Sequence, residues 1–167
     1  MYKLSIIFLI AVIGCKEKDS ANNKNKPEVK TEVLSEFDKI KLTELDGKAI
    51  DLHQYEGKTI FINFWATWCG PCIQEMPSIQ KAKSSLKDED IVFLFASNEE
   101  VEAIETFKKK QPYDFHYVRV ENLEQLNIMA LPTTYIFNPN KKLVFSEMGY
   151  RKWDSKNNID LILNAGK

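Results

Sequence analysis

Two stretches of the chain, Thr59-Ile60-Phe61-Ile62-Asn63-Phe64 and Ile91-Val92-Phe93-Leu94-Phe95-Ala96, are nearly continuous in apolar side chains. Runs of that length and density mark strands covered on both faces, as in the interior of a parallel sheet. Between them, residues 71–86 are rich in helix formers. After the second run, Glu99 to Lys110 place Val101, Ile104 and Phe107 on one helical face before Gln111-Pro112 ends the pattern. Upstream, Ile40 and Leu42, then Asp46-Gly47, then Ile50 and Leu52 alternate about a turn dipeptide and predict a β-hairpin. Downstream, His116 to Val120 reads as a short strand, and Thr133 to Phe137 and Leu143 to Phe145 flank the turn signal Asn138-Pro139-Asn140. A last helix is expected from about Asp154 to Asn164. Strands and helices in this order predict an α/β fold, a mixed central sheet with helices on both faces.

The first 36 residues stand outside that pattern. Lys3 precedes Leu4 to Ile13, apolar throughout except for Ser5, and the run stops at Gly14-Cys15 before Lys16-Glu17-Lys18-Asp19. A bilayer-spanning helix needs about 20 apolar residues, so residues 1–14 read as an export signal rather than a span. Val12-Ile13-Gly14-Cys15 resembles the lipobox of bacterial lipoproteins, which implies cleavage before Cys15 and a diacylglycerol thioether on it. An ordinary signal peptide with an incidental cysteine, or an uncleaved anchor, is the alternative. In residues 16–36 only Ala21, Val29, Val33 and Leu34 are apolar, too few for a core. With Cys15 as a lipidated start, this segment reads as a tether reaching roughly 25 Å as a flexible coil. Residues 37–167 then form one domain.

Composition excludes more than it selects. With 44% hydrophobic and 28% charged residues, the chain is neither wholly embedded in a membrane nor wholly disordered. A net charge of −1 supplies no global field for nucleic acid. The three cysteines, at 15, 69 and 72, are too few for a disulfide scaffold and divide into a lone residue and a close pair.

The close pair carries the chemistry. Trp65-Ala66-Thr67-Trp68-Cys69-Gly70-Pro71-Cys72 lies where a buried strand gives way to a helix. A cysteine there faces unpaired backbone N–H groups and the positive end of the helix dipole, which favour the thiolate. Cys69 is the expected nucleophile. Cys72, one turn further on the same face, can close a small disulfide ring with it and is the expected resolving thiol. Gly70 allows close approach of a partner backbone, and Pro71 suits the first helical turn, where its missing N–H goes unnoticed. A zinc site would need a second ligand pair, and His53 and His116 each stand alone, so no metal is expected. A purely structural bridge across so short a loop would constrain little chain entropy.

Phe61 through Cys72, with Glu75-Met76-Pro77, resembles the thioredoxin superfamily and specifically its exported, membrane-tethered TlpA/ResA-like thiol-disulfide oxidoreductases. The resemblance covers about Phe37 to Lys167. It implies a thioredoxin-like three-layer fold preceded by an N-terminal hairpin, and a Cys69/Cys72 redox disulfide. It also implies that Leu131-Pro132 forms a cis-proline segment binding substrate backbone, although sequence alone would make the bond trans. Trp68 would then shield the cysteines and meet partners, unless it is a half-buried core aromatic. Thioredoxins carry a buried aspartate on the strand before the active site; here Asn63 stands there and cannot take a proton. In this branch a glutamate after the next central strand takes that role, which points to Glu99; the alternative is a helix-start acid within the capping box Ser97-x-x-Glu100. By the same resemblance the substrates are protein disulfides, the electron donor is a membrane thiol relay, and no cofactor is required. The place of action is the extracytoplasmic side of a bacterial cell envelope, reached by a monomer held through lipid on Cys15. Gly-Pro between the cysteines resembles reducing members, with disulfide oxidase or isomerase activity the closest alternative. A copper metallochaperone or a thiol peroxidase of similar fold would need a wider cysteine spacing with a late histidine, or a lone peroxidatic cysteine.

Overall fold

Two short strands follow a single turn of helix at the start of the described chain, which comprises residues 35–167 of this computed structural model. All of these residues belong to one unit, Val33–Lys167. The turn is α1 (Glu36–Lys39), capped by the Ser35 side chain, and the strands are β1 (Leu42–Thr43) and β2 (Ala49–Ile50). A 3-10 turn at Leu52–Tyr55 leads into β3 (Thr59–Phe64), α2 (Gly70–Ser85), β4 (Ile91–Ser97), α3 (Val101–Lys110) and β5 (His116–Val120). A second 3-10 turn, Leu123–Leu126, precedes β6 (Thr133–Phe137), β7 (Leu143–Met148) and α4 (Lys156–Ala165). The signal, the lipobox with Cys15 and most of the tether lie outside the described residues.

The strands form one sheet in the order β2-β1-β5-β4-β3-β6-β7, with β3, β4 and β5 parallel and the others antiparallel to their neighbours. Both apolar runs of the sequence are central strands, as their density requires. The connections β3-α2-β4 and β4-α3-β5 step across the sheet in the same direction. Right-handed crossovers that advance one way lay their helices on one face. Accordingly Met76 and Ile79 of α2, Ile104 and Phe107 of α3, and Ile162 of α4 share a core with Phe61, Phe93, Phe95 and Ile136. The opposite face, built from Ile62, Phe64, Leu94, Val118 and Phe137, is covered by Phe37 of α1 and by Leu52 and Leu126 of the 3-10 turns. Helical segments thus cover both faces, the three longest all on one.

The predicted hairpin is present and very short, pairing Leu42 with Ile50 around Gly47 (φ 88°). Its β1 also pairs with β5, Leu42 opposite Val120, so it extends the main sheet. Boundaries shift at three places. β7 runs three residues further than its apolar pattern, because an edge strand with alternate residues in solvent carries polar side chains. α4 begins at Lys156, and α3 begins at Val101 because the residues before it are held elsewhere. Among the described residues no helix is long and apolar enough to cross a membrane.

Phe61 is fully buried, with its ring centroid 4.9 Å from Phe93 and 4.7 Å from Trp153. Phe61→Ala is expected to destabilise the domain by about 3–5 kcal/mol in urea unfolding. Val144→Ala on the exposed edge strand should cost about 0.5 kcal/mol or less.

Candidate active site

Beyond Phe64 the chain keeps one more sheet hydrogen bond, Trp65 N–H to the Ala96 carbonyl at 3.1 Å, and the Trp65 ring packs on Phe107 and Tyr117. The backbone then turns, with Cys69 N–H donating to the Ala66 carbonyl, and Cys69 becomes the N-cap of α2. Its Sγ accepts from the Cys72 N–H at 3.3 Å, which satisfies one of the helix's free amides through a sulfur atom. Gly70 and Pro71 form the exposed first turn, and the helix runs on through Pro77. Cys69 and Cys72 are joined by a disulfide, their Cα atoms 5.3 Å apart. Cys69 is 4% exposed and Cys72 not at all, so what exposure the pair has falls on the first cysteine. Trp68 stands out beside them at 73% exposure, so it is no core aromatic.

The Leu131–Pro132 peptide bond is cis. Pro132 is buried immediately before β6, whose first residue, Thr133, pairs with Phe64 at the end of β3 from which the cysteine loop departs. Its carbonyl accepts from Gly149 N–H at 2.7 Å, and the Ala130 carbonyl accepts from Thr133 Oγ1 at 2.6 Å.

Glu99 does not start a helix. Its carboxylate accepts from Thr67 N–H at 2.7 Å, from Thr67 Oγ1 at 2.6 Å and from Ser97 Oγ at 3.0 Å. Ser97 is engaged with Glu99, the N-cap of α3 is Glu100 without a side-chain bond, and the capping box does not form. These bonds pin the loop two residues ahead of Cys69 to the end of β4.

A second carboxylate, with no role expected from the motif, lies deeper. Glu75 follows Cys72 by three residues in α2 and is fully buried. Residues at that spacing share a helix face, with Cβ atoms about 5–6 Å apart. Its Oε1 accepts from Asn63 Nδ2 at 2.8 Å and its Oε2 from the Arg151 N–H at 3.1 Å. The indole N–H of Trp153 faces the same carboxyl outside hydrogen-bond geometry. Burial pushes the Glu75 carboxyl up to about 7, against the opposing pull of the Arg151 N–H and the Asn63 amide. The signal was present in the sequence: Cys72, Glu75, Met76 and Ile79 fall at i, i+3, i+4 and i+7, which puts an acid on the apolar face of the helix.

His116 pairs with Glu44 at 2.8 Å and His53 with Asp38 at 3.2 Å, each bound to a single carboxylate away from the cysteines.

A disulfide of adjacent turns, capped at a helix start and open at one sulfur, on a thioredoxin-like sheet, defines a thiol-disulfide oxidoreductase. Residues 33–146 match the AhpC/TSA family, and the chain belongs to it. Within that family it is similar to proteins named thiol-disulfide oxidoreductase ResA. The chain is 29% identical over 123 residues to the thiol-disulfide oxidoreductase ResA of Bacillus thuringiensis subsp. konkukian, covering 70% of each chain. It is 31% identical over 142 residues to the thioredoxin-like protein YneN of Bacillus subtilis, covering 81% of this chain and 82% of that one. A solved candidate thiol-disulfide oxidoreductase from Bacteroides vulgatus superposes with a TM-score of 0.65 at 25% identity, over 75% of this chain and 90% of the other.

The raised Glu75 carboxyl fixes a sign for stability against pH. Between its ordinary 4.5 and about 7 the folded state holds a proton that the unfolded state has released, so stability falls as pH rises through that window. Relative to Glu75→Gln, the oxidised protein should lose about 3 kcal/mol across it. Chemical denaturation at a series of pH values measures this; parallel curves for the two proteins would contradict it.

Proposed function

We propose that the protein reduces protein disulfides on the extracytoplasmic side of a bacterial cell envelope, held to the membrane by lipid on Cys15. The single observation that carries the redox assignment is the Cys69–Cys72 disulfide at the N-terminus of α2, with Cys72 buried and Cys69 within reach. The Cys69 thiolate attacks one sulfur of a substrate disulfide; a Cys69–substrate bond forms and the first substrate thiolate leaves. Cys72 gives its proton to the Glu75 carboxylate and attacks Cys69 Sγ, which reforms the internal disulfide and expels the second substrate thiolate. Two electrons pass to the substrate, and an electron-donating dithiol, by the family resemblance a membrane thiol relay, returns them. Glu75 shares the buried face of α2 with Cys72, whereas Glu99 binds Thr67; in this mechanism Glu75 moves the proton and Glu99 positions the loop. Trp68, Gly70, Pro71, Leu131 and Pro132 form the contact surface for the substrate chain. The protein works as a monomer. The Gly-Pro spelling between the cysteines supports the reducing direction, with oxidation or isomerisation of disulfides as the competing one; the name of the ResA relatives supports thiol-disulfide exchange.

In insulin reduction with dithiothreitol as donor, Cys69→Ser should be inactive, and Cys72→Ser should accumulate mixed disulfides visible on non-reducing gels. Activity retained in Cys69→Ser would refute the mechanism. Direction is read by comparing this rate with the rate at which the oxidised protein introduces disulfides into a reduced substrate.

The lipid anchor makes a separate prediction. The mature wild-type protein should partition into detergent and carry acyl mass on Cys15, while Cys15→Ala should be found in the aqueous phase, since stable anchoring needs more than one acyl chain or signal. An unmodified Cys15 in the mature protein would remove this part of the proposal and leave the redox part standing.

A further inference from the structure

Asn63 sits at the centre of the buried polar groups and does nothing in the mechanism above. It is fully buried on β3, between Phe95 of β4 and Thr134 of β6 in the sheet register. Both hydrogens of its amide are used: Nδ2 donates to Glu75 Oε1 at 2.8 Å and to Thr134 Oγ1 at 3.1 Å. Its Oδ1 is buried with no hydrogen-bond partner. An orphaned carbonyl in a sheet interior is a standing cost that an apolar residue of similar size would not carry. The arrangement is intelligible as one that aims an amide donor. The ionised carboxylate only accepts and so sets which way the amide points, since the reversed amide would place Oδ1 against a carboxylate oxygen; the Thr134 hydroxyl can meet either end.

We infer that Asn63 is a positioning residue for the resolving step: by donating to the Glu75 carboxylate from the strand, it sets the pH at which Glu75 can accept the proton of Cys72. This rests on the role proposed for Glu75. Hydrogen bonds to the ionised form of an acid favour that form, and in a dry site their effect is larger than in water. Asn63 shares the carboxylate with the Arg151 N–H, which bonds the other oxygen, and is the side-chain donor among the groups that face Glu75 within hydrogen-bond distance. From α2 comes Cys72. From the segment after β7 come the Arg151 N–H and the Trp153 indole, while the Arg151 guanidinium is engaged by Glu147 and Asn158. β6 contributes Thr134, which does not titrate. An amide in the position where thioredoxins keep an aspartate thus serves an acid relocated to the helix.

The test is single-turnover stopped flow of the reduced full-length protein against dithiobis(nitrobenzoate). Its first coloured thiolate reports attack by Cys69 and its second reports resolution by Cys72. In Asn63→Ala the pH midpoint of the second phase should rise by about one pH unit, the first phase keeping its wild-type profile. The shift should disappear when Asn63→Ala is made in a Glu75→Gln background, which a merely structural loss would not do. Asn63→Asp keeps the volume and serves if Asn63→Ala does not fold. Its second carboxylate beside Glu75 should also raise the midpoint, because two acids so close resist ionising together. If Glu75→Gln leaves the second phase and its pH profile unchanged, the role of Glu75 and this inference fall together. If Glu75→Gln alters the second phase and neither Asn63 variant moves the midpoint, this inference alone is overturned.

Discussion

Burying one carboxylate under the redox helix is the constraint around which the neighbouring elements are arranged. An ionised acid with no exposure is costly unless hydrogen bonds surround it, and Glu75 draws them from two directions, the Asn63 amide on β3 and the Arg151 N–H after β7. The bonds close a circuit. Asn63 also reaches Thr134 on β6; Pro132, just before that strand, accepts from Gly149; and the chain returns through Arg151 to Glu75. Ser78, one turn further along α2, adds a second link by accepting from the Trp153 N–H at 3.0 Å. The cysteine helix and the cis-proline segment are thereby fixed to each other through groups that would be unpaired if either moved.

Glu99 makes the complementary attachment on the other side of the cysteines. It binds both the amide and the hydroxyl of Thr67, so the loop ahead of Cys69 is tied to β4 while the helix behind it is tied to β3 and the chain after β7. The disulfide lies between two independently anchored segments. In this disulfide state Cys69 Sγ caps the helix by accepting from the Cys72 N–H.

Much of this was legible in the residue order. The β3 and β4 runs read as central strands, Asp46-Gly47 indicated a hairpin, and a cysteine pair at a strand-to-helix junction pointed to its chemistry by position. α3 starts later than its local pattern because Glu99, which binds Thr67 from 32 positions earlier, also takes the Ser97 hydroxyl that Ser97-x-x-Glu100 would use as a cap, and a local pattern does not reveal that contact. Glu75 was visible as an acid on an apolar helical face. Its hydrogen bonds were not, because they depend on which strands lie beneath the helix and on the return of the chain at Arg151, both products of the sheet order. Nor does spelling alone distinguish a cis from a trans bond before Pro132.

The cis-proline segment has little backbone left to offer. Pro132 has no N–H and its carbonyl is taken by Gly149, while the Ala130 carbonyl is taken by Thr133. Leu131 makes no backbone hydrogen bond among the described residues, so of residues 130–132 it alone keeps both groups unpaired. A chain drawn alongside it can form one antiparallel pair and no longer ladder. In the proposed function, that offers a substrate chain a slot one residue wide, engaged through backbone groups. Partners would then be sorted by mechanics: a cystine in a loose or unfinished segment can be drawn out to fit, and one locked inside a folded domain cannot.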